Sequence, residues 1–288
     1  MDKNWTVAVT GAAGHVGSRL AETLALRGVT VRPLTRREGD VADRDAMRRA
    51  LAGVDAAYYL VHSLASAGSF DEEERRGARE FAAAARECGV GRLVYLGGIV
   101  HESDLSPHLR SRREVGEILR ASGVPTVELR ASIVVGAGSA SFDLVRTIVD
   151  RLPTPVAPDW LDHAAQPIAL EDVVEYLVAA LDVPLDGEAV YEIGGADCVR
   201  YRDLVNEVAG QLGRPQRHVT LPVPEPPLGV SQLPDALAGL IPERARLAAN
   251  LIESLRYDSD VRDESALEAF AVRPRGLRDA VAAALATA

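Results

Sequence analysis

The sequence predicts an α/β fold, a doubly wound parallel sheet with helices on both faces and a smaller C-terminal lobe. Short β-rich apolar runs alternate with longer helical patterns through the first half, the order that builds a parallel sheet. Three glycines fall where the first of these runs gives way to the first helical pattern. Beyond Arg151 the texture changes to proline-broken chain and then to mostly helical patterns.

The first strand is Trp5–Thr10. It opens into Thr10-Gly11-Ala12-Ala13-Gly14-His15-Val16-Gly17, and a helix follows in which Val16, Leu20 and Leu24 recur at i, i+4 and i+8, with Ala21 and Ala25 beside them, before Gly28 stops it. Further strands are expected near Val29–Leu34, Ala56–Val61, Leu93–Leu96 and Thr126–Arg130, with helices between them. One helix runs from about Asp71 to Cys88; Ala78, Phe81, Ala82 and Ala85 form its apolar stripe, and Glu72-Glu73-Glu74 suit the positive end of its dipole. Pro153, Pro155, Pro158 and Pro167 then interrupt the chain before a helix over 171–181 and a short strand, Ala189–Ile193, expected to rejoin the sheet. A helix from Tyr201 to Leu212, a second proline cluster at Pro222, Pro224, Pro226 and Pro227, and helical patterns over 233–255 and 277–286 follow.

A chain of 288 residues that is 47% hydrophobic can bury one large core. Its longest apolar runs fall far short of the roughly 20 residues that span a bilayer. No targeting segment is read in Met1-Asp2-Lys3-Asn4, so a cytoplasmic protein without membrane attachment is expected. A formal charge of −10 argues against a nucleic-acid surface, which needs a clustered basic face. Cys88 and Cys198 read as packing residues, and neither they nor His15, His101, His163 and His218 show ligand spacing, so no metal site is expected. Lys3 is the only lysine, which excludes a P-loop, a Schiff-base lysine and a Tyr-x-x-x-Lys catalytic pair.

The glycine spacing reads as a pyrophosphate-binding turn. Gly11 lets the chain leave the strand tightly, Gly14 removes a side chain that would block a phosphate, and Gly17 lets the helix lie close to the sheet. The amides of Ala13, Gly14, His15, Val16 and Gly17 then face the ligand's negative charge at the positive end of the helix dipole. Selectivity between the two nicotinamide dinucleotides is usually set at the end of the second strand. Here that strand ends Leu34-Thr35-Arg36-Arg37, with guanidinium groups and no carboxylate, so NADPH is expected over NADH, although Glu38 and Asp40 dilute the positive potential. Asp40-Val41 stands where related folds hold the adenine edge.

With Tyr58-Tyr59-Leu60-Val61-His62-Ser63 at the third strand, Tyr95-Leu96-Gly97-Gly98 at the fourth, Arg130-Ala131-Ser132-Ile133 at the fifth and Tyr191-Glu192-Ile193-Gly194-Gly195 late in the chain, the sequence resembles the short-chain dehydrogenase/reductase superfamily, in its atypical, NmrA-like branch. The resemblance implies a Rossmann-type NAD(P)-binding core over residues 1–200, carrying a proline-rich excursion at 151–170, and a smaller, mostly helical substrate lobe over 201–288. It implies coenzyme contacts from Leu60, Val61 and His62 after the third strand, from Gly97 after the fourth, and from Ala131 and Ser132 after the fifth.

Members of that superfamily that reduce carbonyls carry a serine after the fourth strand and a Tyr and a Lys four residues apart on the next helix. This chain departs at all three places: Gly97-Gly98 replaces the serine, and His108-Leu109-Arg110-Ser111-Arg112 replaces the pair. The i, i+4 spacing keeps His108 and Arg112 on one helix face, which Val115 and Leu119 continue toward the sheet. Arg112 can hold ribose hydroxyls as lysine does. Beside that charge His108 is expected as a neutral ring that polarises a carbonyl or donates one N–H, unless it is an ordinary first-turn residue behind Ser106-Pro107. Ser111 adds a hydroxyl at the mouth, and Arg130 either binds an anionic group of a ligand or pairs with a glutamate at the core edge. The function expected is an NADPH-dependent reductase of a small, mostly apolar carbonyl, enone or quinone. The alternatives are a non-catalytic sensor of the NADP+/NADPH ratio and redox-neutral chemistry on a tightly held coenzyme. A small-molecule substrate and a monomer or homodimer complete the expectation.

Overall fold

The computed structural model describes residues 4–61, 70–102, 105–151, 156–157, 159–214, 219–220 and 254–287. Lys3, His62, Ser63, His218, Pro153, Pro155, Pro158, the cluster Pro222 to Pro227 and the 233–253 part of the last long helical pattern lie outside the described residues.

Six strands form one sheet: β1 (Thr6–Thr10), β2 (Thr30–Leu34), β3 (Ala56–Tyr59), β4 (Arg92–Gly98), β5 (Thr126–Ala131) and β6 (Glu188–Ile193). Their order is β6-β5-β4-β3-β1-β2, with every neighbouring pair parallel. β4 runs through Gly97 and Gly98, beyond the expected end, because both residues still pair with Arg130 and Ala131 of β5. β3 stops at Tyr59, short of the expected end, since the Leu60 N–H leaves the ladder for the Thr10 hydroxyl at 3.0 Å. β1 lies between β2 and β3, so the winding reverses there and opens a crevice at the carboxyl ends of those strands.

Alternate side chains of each strand serve opposite faces. On one face Val7, Val9 and Tyr58 pack with Leu20 and Leu24 of α1 (His15–Leu26) and with Val173, Tyr176 and Leu177 of α6 (Leu170–Ala179). On the other, Ala57, Tyr59 and Leu93 meet Met47 of α2 (Arg44–Leu51), Phe81 and Ala85 of α3 (Phe70–Glu87), and Val115 and Leu119 of α4 (Pro107–Arg120). Full burial of each large apolar side chain contributes about 1.5–3 kcal/mol, so these two layers hold the sheet. This is the doubly wound parallel sheet that the alternation of elements predicts.

A third apolar cluster joins Phe142 and Val145 of α5 (Ala140–Arg151), Leu204 and Val208 of α7 (Tyr201–Gln211) and Val281 of α9 (Leu277–Ala286). The short helix α8 (Ser265–Ala269) packs on β6. Between α5 and α6 the chain crosses the carboxyl end of β5, where the Gln166 N–H donates to the Ser132 hydroxyl at 3.1 Å and the Ile168 N–H to the Ile133 carbonyl at 3.0 Å. Residues 258–261 lie on this crossing: Ser259 N–H donates to the Ala164 carbonyl at 2.8 Å, and Val261 N–H to the Gln166 side-chain oxygen at 3.1 Å. Two segments far apart in sequence are thereby fixed over the end of the sheet.

Candidate functional site

The turn after β1 is built by close backbone approach. Gly11 has a φ of +68°, and a Cβ there would lie 2.6 Å from the Leu60 carbonyl oxygen, so only glycine fits beside the end of β3. A Cβ on Gly17 would run into the backbone of Gly11 itself, which lets α1 start against the turn. The Thr10 hydroxyl donates to the Tyr58 carbonyl at 2.9 Å and ties β1 to β3 at this level. Gly14 differs: a Cβ there would meet one atom within 4 Å, the Gly11 carbonyl oxygen, and otherwise fill the cradle in front of α1. No side chain caps α1, and its first turn carries no acid. Gly11, Ala13, Gly14, His15, Val16 and Gly17 all line one cavity, so the first amides of the helix face it. A shallow cradle bounded by free helix-start amides suits a diphosphate.

At the end of β2, Thr35, Arg36, Arg37, Asp40 and Val41 line the same cavity. Glu38 folds back to accept from the Thr35 N–H at 2.7 Å and hydroxyl at 2.5 Å, bonds that lower its carboxyl pKa, the side-chain bond first. Asp40 turns to the Ala42 N–H at 2.9 Å. The guanidinium groups of Arg36 and Arg37 are exposed and pair with no carboxylate among the described residues. Arg76 of α3 shares all three properties, whereas its neighbours Arg75 and Arg79 are paired with Glu114 and Glu72. Sequence reasoning missed Arg76, because nothing local distinguishes it from the arginines that flank it.

α4 starts at Pro107 behind Ser106, whose hydroxyl accepts from the Leu109 N–H at 3.2 Å. That start places His108, 7% exposed, and Arg112 one turn on, both lining the cavity beside Gly97 and Gly98. Arg112 Nη2 donates to the Leu96 carbonyl at 2.5 Å, and its Nε lies 3.7 Å from where a Gly98 Cβ would stand. Gly98 therefore lies in van der Waals reach of the Arg112 side chain. Tyr95 is no substitute for the missing tyrosine: its hydroxyl donates to the Arg112 carbonyl at 3.0 Å, and burial pushes the phenol upward. Ser111 does not reach the mouth. It is fully buried and donates to Glu74 of α3 at 2.5 Å, because its position on α4 faces the neighbouring helix. Arg130 pairs at 2.8 Å with Glu128, a buried carboxylate that Arg120 holds from its other side. Arg130 thus takes the second of its two expected roles.

Leu60 and Val61 line the cavity from β3, and Ala131 and Ser132 from β5. The His15 ring fills the gap between the turn and the loop after residues 134–135. A Cβ on Gly136 would lie 3.1 Å from His15 Nε2 and one on Gly138 3.5 Å from Nδ1, and burial lowers the imidazole pKa. Beyond Ser132 the walls are mostly apolar, with Leu144, Val145, Leu161, Leu204, Val205 and Leu255 beside the hydroxyl-bearing Tyr201, Tyr257, Ser254 and Ser259. The whole cavity measures about 1330 Å³, above the roughly 300–1,000 Å³ usual for one small ligand. It therefore has room for a dinucleotide and a second molecule. Among the described residues no three His, Cys, Asp or Glu side chains gather as metal ligands, and no helix is long and apolar enough to cross a membrane.

Known proteins match this architecture. A curated relative from Streptomyces griseus, (4-alkanoyl-5-oxo-2,5-dihydrofuran-3-yl)methyl phosphate reductase, is 30% identical over 239 residues, 75% of this chain and 77% of that protein. The 2-alkyl-3-oxoalkanoate reductase of Stenotrophomonas maltophilia is 25% identical over 259 residues, 73% and 76% of the two chains. Among solved structures, MoeE5 in complex with UDP-glucuronic acid and NAD superposes with a TM-score of 0.71 at 20% identity over 98% of both chains, a likeness of fold. The family model for the NAD dependent epimerase/dehydratase family matches residues 7–194, the stretch that holds the glycine turn, all six strands and the His108–Arg112 face. By its turn, its sheet and this match, the chain belongs to the NAD dependent epimerase/dehydratase family.

Proposed function

We propose that the protein is an NADPH-dependent reductase of a mostly apolar carbonyl compound, of the atypical, NmrA-like kind within the wider superfamily. The observation that carries this reading is the continuity of one cavity. An amide cradle at one end passes between the His108–Arg112 face and Ser132 into an apolar compartment at the other. Arg36, Arg37 and Arg76 support NADPH over NADH, because guanidinium groups without carboxylate partners are suited to a 2′-phosphate.

Reduced nicotinamide, when bound, supplies a hydride. The chain's residues do the rest. The turn amides hold the diphosphate, Arg112 fixes the ribose, and His108 donates a hydrogen bond to the substrate oxygen or passes it a proton that water replaces. The carbonyl carbon gains the hydride, its oxygen gains the proton, and an alcohol and NADP+ leave. Both curated relatives carry names with an oxo group beside an alkyl or alkanoyl chain, which favours substrates whose tail fills the compartment of Leu144, Leu204 and Leu255.

Gly97, in place of a hydroxyl donor, favours a second reading, in which the protein binds NADP(H) as a sensor without turnover. NADPH absorbance followed with a panel of long-chain alkyl ketones, enones and quinones separates the two. Oxidation above the buffer rate with at least one of them is expected. Tight NADPH binding with no oxidation across the panel rejects the reductase in favour of the sensor.

A further inference from the structure

Three hydroxyls outside the glycine turn and the His108–Arg112 pair, one of them on Ser132, which is also an expected coenzyme contact, meet on the apolar side of the cavity. The Tyr201 hydroxyl lies 2.8 Å from Ser259 Oγ, and Ser259 Oγ lies 2.9 Å from Ser132 Oγ. All three residues are at most 9% exposed, and all three line the cavity. They come from the start of α7, from the 257–260 segment and from the end of β5, so three distant parts of the chain converge to make this one cluster.

Counting protons shows what the cluster lacks. Three hydroxyls carry three O–H donors, and the two links between them use two. Ser132 already accepts from the Gln166 N–H at 3.1 Å, so its own proton need not point that way. Among the described residues the third donor has one protein acceptor in reach, the Tyr257 carbonyl, 3.5 Å from the Tyr201 hydroxyl, at the outer limit of a hydrogen bond. Depending on how the chain of hydroxyls runs, its spare proton sits on Ser132, on Tyr201 or, where both of these donate to Ser259, on Ser259, and all three border the cavity. The cluster is also more than an anchor for the 258–261 segment, which Ala164 and Gln166 already hold through their own bonds to Asp258, Ser259 and Val261.

We infer that this chain of hydroxyls receives the oxygen of a neutral carbonyl substrate, with Tyr201 and Ser259 as its binding residues. The inference rests on the reductase reading and specifies where the substrate oxygen goes. Burial pushes the Tyr201 phenol up to about 12, so it stays protonated and donates across the working range. Asp258, Asp260 and Glu102 lie near enough to raise it further, and their charge works against an anionic ligand oxygen here. The wall offers neutral donors in an apolar setting, which suits a ketone or aldehyde oxygen and not a carboxylate or phosphate. The hydroxyls form and break no covalent bond; they hold the neutral carbonyl oxygen by hydrogen bonds while hydride reaches the carbon.

The test uses the full-length protein with NADP+ and 2-dodecanone labelled with 13C at its carbonyl, a complex that cannot turn over. Infrared spectroscopy reads the carbonyl stretch, and calorimetry reads both affinities. In the native protein the stretch is expected to shift to lower frequency on binding. In Tyr201→Phe and in Ser259→Ala the shift shrinks, and ketone affinity falls by roughly tenfold, the loss of one neutral hydrogen bond, while NADP+ affinity and melting temperature hold. Should one variant fail to fold, the other carries the test. An unchanged shift in the folded variants overturns the hydroxyl site alone, and so does native protein that binds NADP+ but not the ketone. Native protein that binds no NADP+ overturns the coenzyme reading beneath it.

Discussion

The two ends of the cavity are made of different materials. The coenzyme end is backbone, Gly11 to Gly17, with amides aimed by the start of one helix and spacing set within seven consecutive residues. The substrate end is side chain, with Ser132, Tyr201 and Ser259 brought together across 127 residues. A backbone site tolerates change in every side chain around it and fails when a Cβ enters. A side-chain site can lose one atom and keep its fold. The first is suited to a ligand that never varies, and the second can be re-specified position by position.

The sharpest break of that comparison is at the turn. Gly14 has an extended backbone and space for a side chain, so Gly14→Leu is expected to melt near the native temperature and to bind NADPH roughly a hundredfold or more weakly, by blocking two charge-assisted amide bonds. Gly17→Leu, which strikes the Gly11 backbone, is expected to lose stability as well. Calorimetry with thermal melts separates the two, and a Gly14→Leu protein that binds NADPH normally refutes the backbone cradle. Next in size is the face between the two ends. His108→Ala is expected to lower kcat about a hundredfold, the lower range for a general acid, with NADPH affinity little changed; a kcat within twofold of native moves the proton source elsewhere.

Smaller effects test the rim. Arg36→Ala and Arg76→Ala are each expected to weaken NADPH by roughly tenfold, the low end for a bond between charged groups, and to leave NADH affinity unaltered; equal losses for the two coenzymes remove the 2′-phosphate assignment. The smallest effect belongs to His15. Burial lowers its folded pKa below the ordinary value of about 6.5, so the unfolded chain binds the proton more readily. Its contribution to stability is present above that value and falls away as pH drops toward the lowered one. His15→Gln should flatten the decline in melting temperature on acidification from neutral pH, and an unchanged slope shows that the ring is not buried as described.

Much of the coenzyme end is legible in the residues because its signals are local. Strand, turn and helix follow one another in order, and the i, i+4 spacing of His108 and Arg112 puts both on one cavity wall. Ser111, next to Arg112, shows where local reasoning stops. Its helix face is clear from spacing, but whether that face meets solvent or Glu74 depends on where α3 packs. Arg130 is similar, ambiguous until Glu128 is seen beside it. Arg76 looks like its neighbours until their glutamates are counted.

What the sequence by itself determined is the order of elements, the glycine turn that makes the dinucleotide cradle, and the absence of any lysine beyond Lys3 for a Tyr-x-x-x-Lys pair. Backbone conformation responds to residues a few positions away, and those are always in view. Only the tertiary structure decided which hydroxyls converge on the apolar compartment, which arginines stay without a carboxylate, and which face of α4 turns inward. Those outcomes depend on contacts between elements far apart along the chain, and they exist only once the sheet has brought its strand ends together.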